Sequence, residues 1–185
     1  MPVKQGVRIL AIDDSSFGKN DKEALVVGVV GRRDTIEGVL SFAVKVDGSD
    51  ATQKIMKKVK ASHFSDQIKL VALHGVTLAG LNMVDIIELS KRLRVPVVSI
   101  IRRKPHSPEL VKAIKTAGAG SASRLALLRK LNSKLEITRS KGFYVQVAGM
   151  KVEEFSKLQD VAIGLLRLAH IIANGVSRGE SRGRI

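Results

Sequence analysis

The chain has 185 residues, of which 44% are hydrophobic but only 3% aromatic, so it suits one domain with an aliphatic core. Lysine and arginine number 32 against 17 aspartates and glutamates, which gives a formal net charge of +15 and favours a polyanionic partner. Because there is no cysteine, disulfides, thiolate metal sites and thiol nucleophiles are excluded.

The charge is compatible with nucleic acid, with an anionic membrane face, or with a basic, heat-adapted proteome in which it has no specific partner. The N-terminus has no apolar leader, and the longest apolar runs have the length of strands. We therefore expect a cytoplasmic protein that binds DNA, or RNA, and no membrane. The single tyrosine and the absence of tryptophan argue against recognition by base stacking.

The first half of the chain predicts three strands and a helix. Apolar runs at residues 7–12, 24–31 and 36–46 are typical of strands. The short connection at Arg33 and Asp34 favours antiparallel neighbours. After a turn, apolar side chains recur at helical spacing over residues 52–59, with Asp50 as the predicted N-cap.

The second half alternates strands and helices. Short apolar runs predict strands at residues 68–73, 97–101, 135–138 and 143–147. Helical spacing and capping residues predict helices at 84–93, 107–117, 123–131 and 153–173. Gly175 is the predicted end of the last helix. We expect a domain over residues 1–176 and a basic, flexible tail over residues 177–185.

This order of elements predicts an α/β fold. Three antiparallel strands come first, and parallel crossover units follow, so the sheet is mixed and flanked by helices. Ribonuclease-H-like nucleases have this order, as do other mixed-sheet domains.

Acidic residues and one histidine occupy the ends of predicted strands and the starts of helices. They are Asp13, Asp14, Asp47, Asp50, His74 and Asp85. In an open sheet, ligands collect beyond the strand ends. Carboxylates brought together there repel one another, and a divalent cation such as Mg²⁺ removes that repulsion. Two such ions can activate water and stabilise the leaving oxygen of a phosphodiester, so the pattern indicates a nuclease site.

Each of these residues also has a structural alternative. Asp14 points to the opposite face of a regular strand from Asp13, so both bind one ion only if the strand bends. Asp50 and Asp85 are suited to capping helices. Asp47 precedes a glycine as turn residues do, and His74 is either a ligand or general base or a polar strand end.

Two basic segments are candidates for binding phosphate. Arg102, Arg103 and Lys104 follow a predicted strand, and the alternative is a solvated loop. The C-terminal tail carries Arg178, Arg182 and Arg184, for which the alternative is plain disorder.

Several segments resemble a family of archaeal proteins. They are IDDSSF at 12–17, KVDGSDAT at 45–52, GVTLAGLNMVD at 75–85, RRKP at 102–105, VQVAG at 145–149 and RLAHIIANGVSRGESRGR at 167–184. The chain resembles, over residues 7–184, the domain-of-unknown-function family ninety-nine. That family is grouped with endonuclease V in the ribonuclease-H-like clan, and its members have been assigned an endonuclease activity on DNA that contains deoxyuridine.

The resemblance implies roles for several residues. Asp13 falls on the first-strand metal ligand of endonuclease V, and Asp47 or Asp50 on its second acid. His74 stands where that enzyme has its third acid, and hard cations prefer oxygen. The resemblance therefore leaves three alternatives: Asp14 or Asp85 substitutes, the metal is Mn²⁺, or the protein cleaves weakly or not at all.

Two hypotheses follow. In the first, the protein is a Mg²⁺- or Mn²⁺-dependent DNA endonuclease that nicks near deaminated bases such as deoxyuridine. Asp13, Asp47 and His74 are then its catalytic residues, and the metal ligands are taken from Asp13, Asp14, Asp50 and Asp85. In the second, it binds nucleic acid without hydrolysing it and only keeps a nuclease fold. The sequence leaves the oligomeric state open.

Overall fold

A computed structural model of the chain describes residues 6–103 and 108–181. Its main sheet has seven strands in the order β3-β2-β1-β4-β7-β9-β8. Helices cover both faces of the sheet. The predicted mixed α/β sheet flanked by helices is confirmed.

Three antiparallel strands open the sheet. They are β1 (Ile9–Asp14), β2 (Glu23–Arg32) and β3 (Thr35–Lys45). The register pairs Asp13 with Val27, and Arg33 makes the connection between β2 and β3 in a left-handed conformation. Since β1 and β3 both run against β2, their carboxyl ends lie at the same edge of the sheet.

Crossover units extend the sheet on the other side of β1. The elements are α1 (Ala51–Lys60), β4 (Leu70–Leu73), a two-stranded hairpin of β5 (Thr77–Leu78) and β6 (Asn82–Met83), α2 (Ile86–Leu93) and β7 (Val97–Ile101). β4 is parallel to β1, and β7 is parallel to β4. The carboxyl ends of β1, β3, β4 and β7 therefore share one edge, here called the carboxyl edge. The hairpin is absent from the sequence prediction.

The remaining elements complete the sheet and its covering helices. They are α3 (Pro108–Thr116), α4 (Ser121–Lys134), β8 (Thr138–Ser140), β9 (Phe143–Ala148), α5 (Val152–Ser156) and α6 (Gln159–Arg178). β9 runs antiparallel to both β7 and β8.

Alternation along β1 divides the core into two layers. Leu10 and Ile12 face the layer with α1, α2 and α4, whereas Ile9 and Ala11 face the layer with α5 and α6. All four side chains are at most 1% exposed. Burial on both faces explains why β1 reads as a continuous apolar run.

The last helix differs from its predicted bounds. It continues through Gly175 to Arg178 and ends at Gly179, which has a φ of +81°. Arg178 therefore lies in the last turn of α6. Among the described residues, α6 alone is long and apolar enough to cross a membrane by length and composition. Its buried face packs on β1 and β2, and this packing accounts for its hydrophobicity.

Candidate active site at the carboxyl edge of the sheet

Asp13 lies at the carboxyl end of β1 and is 2% exposed. Its Oδ2 is 3.0 Å from Nδ1 of His170, and its Oδ1 is 3.4 Å from Nδ1 of His74. His74 follows β4, which is the parallel neighbour of β1, whereas His170 lies on α6. Three elements distant in sequence thus place two imidazoles around one buried carboxylate.

The two histidines keep Asp13 ionised. Burial alone raises the pKa of a carboxyl group, but the hydrogen bonds and charges of His170 and His74 outweigh it, so the pKa of Asp13 is lowered. In return, the hydrogen bond to Asp13 raises the pKa of His170 against the opposing effect of burial. The pair therefore favours a carboxylate beside an imidazolium.

Asp14 has the opposite electrostatics. Burial, and then the charge of Asp13, raise its pKa from 3.8 to about 6. Its Oδ2 accepts a hydrogen bond of 2.8 Å from the main-chain N–H of Ala79, in the turn between β5 and β6. The strand stays regular here, so the two adjacent acids contact opposite layers of the fold, Asp13 the helix α6 and Asp14 the turn between β5 and β6. Together they are here called the Asp13–Asp14 site.

Asp47 and Asp50 lie at the same edge and bind the hairpin. Oδ1 of Asp47 accepts a hydrogen bond of 2.8 Å from the N–H of Leu81. Oδ1 of Asp50 accepts one of 2.6 Å from the side chain of Asn82, and its Oδ2 is 3.1 Å from Nζ of Lys54. Asp50 occupies the N-cap position of α1 but makes no side-chain capping bond there.

Asp85, the other predicted metal ligand, caps a helix, which was the structural alternative for this residue. Its Oδ1 accepts hydrogen bonds of 3.1 Å from the N–H of Ile87 and 3.0 Å from that of Glu88, which caps α2. Its Oδ2 is paired with Lys130 of α4. These contacts join α2 to α4 and include none with Asp13.

His170 and Asn174 are site residues that the sequence analysis missed. Asn174 lies one turn after His170, and its Oδ1 accepts hydrogen bonds from N–H (2.9 Å) and Oγ (2.7 Å) of Ser16. The signal was available, because both residues lie in the 167–184 motif with a spacing of four, which puts them on one face of a helix. Their distance from Asp13 in the sequence concealed the contact.

Basic residues border the site. Arg102 and Arg103 follow β7 at the carboxyl edge and are exposed, and the Arg102 guanidinium lies 5.4 Å from the ring centroid of Phe143. Arg178 lines an open pocket of about 430 Å³ together with His170 and Asn174. Lys104, Arg182 and Arg184, the other predicted phosphate ligands, lie outside the described residues.

The Asp13–Asp14 site has the donors for a divalent cation. Mg²⁺ takes one or two protein carboxylates and keeps water or phosphate oxygens as its other ligands. Burial is the main cause of the raised pKa of Asp14, and the charge of Asp13 adds to it; a bound cation would offset both effects. In the described part of the chain, no group of three or more acids and histidines is arranged to hold a metal ion, so the fit rests on this pair.

The fold defines the class of the protein: it is a ribonuclease-H-like nuclease fold. It is similar to that of human endonuclease V, with a TM-score of 0.56 at 11% identity over 91% of this chain and 83% of that one. Endonuclease V from Ciona intestinalis, solved with DNA that contains an inosine, gives a TM-score of 0.54 at 14% identity over 96% of this chain and 86% of that one.

The chain belongs to the endonuclease dU family, which matches residues 5–177. A UPF0215 protein from Methanothermobacter thermautotrophicus is 34% identical over 98% of this chain and 93% of its own length. The crystal structure of a protein of unknown function from Archaeoglobus fulgidus is 33% identical, with a TM-score of 0.82 over 91% of this chain and 97% of that one. The resemblance stated from the motifs is confirmed, and fold and family together support a nuclease-like function.

Proposed function

We propose that the protein is a cytoplasmic, metal-dependent DNA endonuclease that nicks a strand near deaminated bases such as deoxyuridine. The observation that carries this proposal is the buried carboxylate of Asp13, with two imidazoles beside it and the buried Asp14 next to it in the chain, at an edge that also carries exposed arginines. The family description supports the choice of substrate. The net charge of +15 supports a polyanion as the partner.

The residues have separate roles in this proposal. Asp13 and Asp14 would hold Mg²⁺ or Mn²⁺, which when bound activates water and stabilises the leaving oxygen of a phosphodiester. His170 holds a proton beside Asp13, because its pKa is raised there. Arg102, Arg103 and Arg178 would bind the phosphates of the strand.

The test is cleavage of a duplex that contains one uracil, with the matched thymine duplex as the substrate control. With Mn²⁺, the wild type is expected to nick the uracil strand. Asp13→Asn is expected to lower the rate by at least about 100-fold, because it removes the ionised ligand. Asp66→Asn, an exposed acid before β4, is the matched variant and should keep the wild-type rate. Equal cleavage by Asp13→Asn would refute the assignment.

The second candidate is a nucleic-acid-binding protein that keeps the fold without hydrolysis. It is favoured by His74 at the end of β4, which supplies nitrogen where a hard cation prefers oxygen. Salt-dependent DNA binding by the wild type, with no cleavage in Mg²⁺ or Mn²⁺, would favour this candidate over the first.

A further inference from the structure

A buried arginine of α4 reaches the turn that follows β3. Arg124 is 8% exposed, and its Nη1 donates a hydrogen bond of 3.0 Å to the carbonyl oxygen of Ala119. Its Nη2 donates to the carbonyl oxygen of Asp47. The ion pairs among the described residues do not include Arg124, and its Nε has no hydrogen-bond partner there. A buried cation whose hydrogen bonds go to carbonyl groups and not to a carboxylate is costly, so its position calls for an explanation.

Asp47, which Arg124 bonds, makes two hydrogen bonds to the turn between β5 and β6. Asp47 has a φ of +51°, and its N–H donates a hydrogen bond of 2.9 Å to the carbonyl oxygen of Ala79. Its Oδ1 accepts one of 2.8 Å from the N–H of Leu81. The fit is close, since a Cβ at Gly80 would collide with that Oδ1. The turn of residues 79–81 is thus held by Asp47.

The same turn holds the Asp13–Asp14 site. The N–H of Ala79 donates the 2.8 Å hydrogen bond to Oδ2 of Asp14. A continuous series of hydrogen bonds therefore runs from Arg124 through the main chain of Asp47 and the turn of residues 79–81 to the carboxylate of Asp14.

We propose that Arg124 is a positioning residue for the Asp13–Asp14 site. Its planar guanidinium bonds the carbonyl groups of Ala119 and Asp47 together, and so fixes the turn after β3 against α4. A lysine cannot replace it, because an ammonium group lacks the fork that spans two fixed acceptors. Any effect of Arg124 on cleavage rests on the proposed function. Its structural role in holding the turn is independent of that function.

Amide hydrogen exchange tests the positioning without any assay of activity. In Arg124→Met, the amides of Ala79 and Leu81 are expected to exchange roughly tenfold faster than in the wild type, because the turn loses its anchor. Arg124→Lys should show most of this increase. Lys130→Met, which removes a positive charge from the same helix without touching the turn, should leave both amides unchanged. Equal exchange at Ala79 in Arg124→Met and the wild type would overturn the proposal.

Asp47→Ala provides a second route if Arg124→Met does not fold. It removes the acceptor of the Leu81 N–H while keeping the carbonyl that Arg124 binds. Faster exchange is expected at Ala79 as well as at Leu81, since loosening the turn also weakens the hydrogen bond from the Ala79 N–H to Asp14. Faster exchange at Leu81 alone would show that Asp47 does not hold the Ala79 amide in place, and this result would overturn the proposal.

Kinetics then separate the two proposals. On uracil-containing duplex, Arg124→Met is expected to lower kcat about tenfold with KM unchanged, and Arg124→Met with Asp47→Ala should lose little more than Asp47→Ala alone. A raised KM with unchanged kcat would make Arg124 a DNA-binding residue and overturn the positioning role. If the wild type does not cleave, the proposed function fails, and the exchange experiment alone decides the role of Arg124.

Discussion

Asp13 and Asp14 are adjacent in sequence but have opposite electrostatics. The pKa of Asp13 is lowered because two histidines bond its carboxylate, whereas burial and the neighbouring charge raise that of Asp14 to about 6. The difference comes from hydrogen bonds: His170 on α6 and His74 after β4 bond Asp13, whereas neither bonds Asp14. Asp14 is therefore the member of the pair whose charge opposes folding.

We expect Asp14→Asn to stabilise the protein at neutral and alkaline pH. The unfolded chain ionises Asp14 near pH 3.8 but the folded chain only near about 6, so stability falls as the pH rises through that interval. Removing the charge should raise the free energy of unfolding by about 1 to 3 kcal/mol at pH 8, and by much less at pH 4. Urea denaturation at the two pH values, in EDTA, measures this effect.

Asp66→Asn is the control for that measurement, because its side chain is exposed. It should change stability little at either pH. A gain for Asp14→Asn that is equal at pH 4 and pH 8 would contradict the raised pKa. Under the proposed function, the stabilised variant also loses cleavage, since it lacks one of the two carboxylates for the cation.

Two elements complete the site that the strands begin. α6 crosses β1 and brings His170 and Asn174 to Asp13 and Ser16. The β5–β6 hairpin supplies the N–H groups that bind Asp14 and Asp47. Asp85 lies between these elements in the sequence, but its hydrogen bonds serve the start of α2.

We expect Asp85→Ala to act on stability and not on cleavage. It removes the cap of α2 and the partner of Lys130, which should lower the free energy of unfolding by about 1 to 2 kcal/mol. Cleavage of the uracil duplex and its dependence on Mn²⁺ should match the wild type. Denaturation and a Mn²⁺ titration of the cleavage rate measure the two effects. A higher Mn²⁺ requirement would make Asp85 a ligand after all.

The whole molecule combines a small acidic site with a large positive charge. The net charge of +15 attracts a polyanion over many residues, whereas the acids lie at one edge of the sheet. Affinity for DNA and the chemistry at the site therefore depend on different residues.

We expect DNA binding to weaken steeply with salt and to depend on the arginines after β7. Replacing Arg102 and Arg103 by Ala should lower the slope of log K against log [salt] by about 0.9 for each DNA phosphate that is no longer neutralised by an arginine. Arg92→Ala, an exposed arginine in the last turn of α2, is the control and should keep the wild-type slope. Fluorescence anisotropy over a range of about 50 to 200 mM salt measures the slopes. Equal slopes for all variants would contradict an interface at the carboxyl edge.

Most of the architecture could be predicted because it depends on local patterns. Buried strands such as β1 and β4 are continuous apolar runs, and α2 begins at a predicted cap. The β5–β6 hairpin has two residues per strand and was not predicted, because no periodicity is visible over so short a segment. The end of α6 was placed too early, because Gly175 continues the helix and the left-handed residue that ends it is Gly179.

The charge, the lack of cysteine, the order of elements and the acids at strand ends can be read directly from the chain, since each is a property of composition or of a short segment. The division of those acids into site, turn and cap residues belongs to the folded molecule. His170 lies 157 residues from Asp13, and only the packing of α6 across β1 brings them together. The same holds for Arg124 and Asp47, because interactions between distant segments depend on how the elements pack and leave no periodic signal in the sequence.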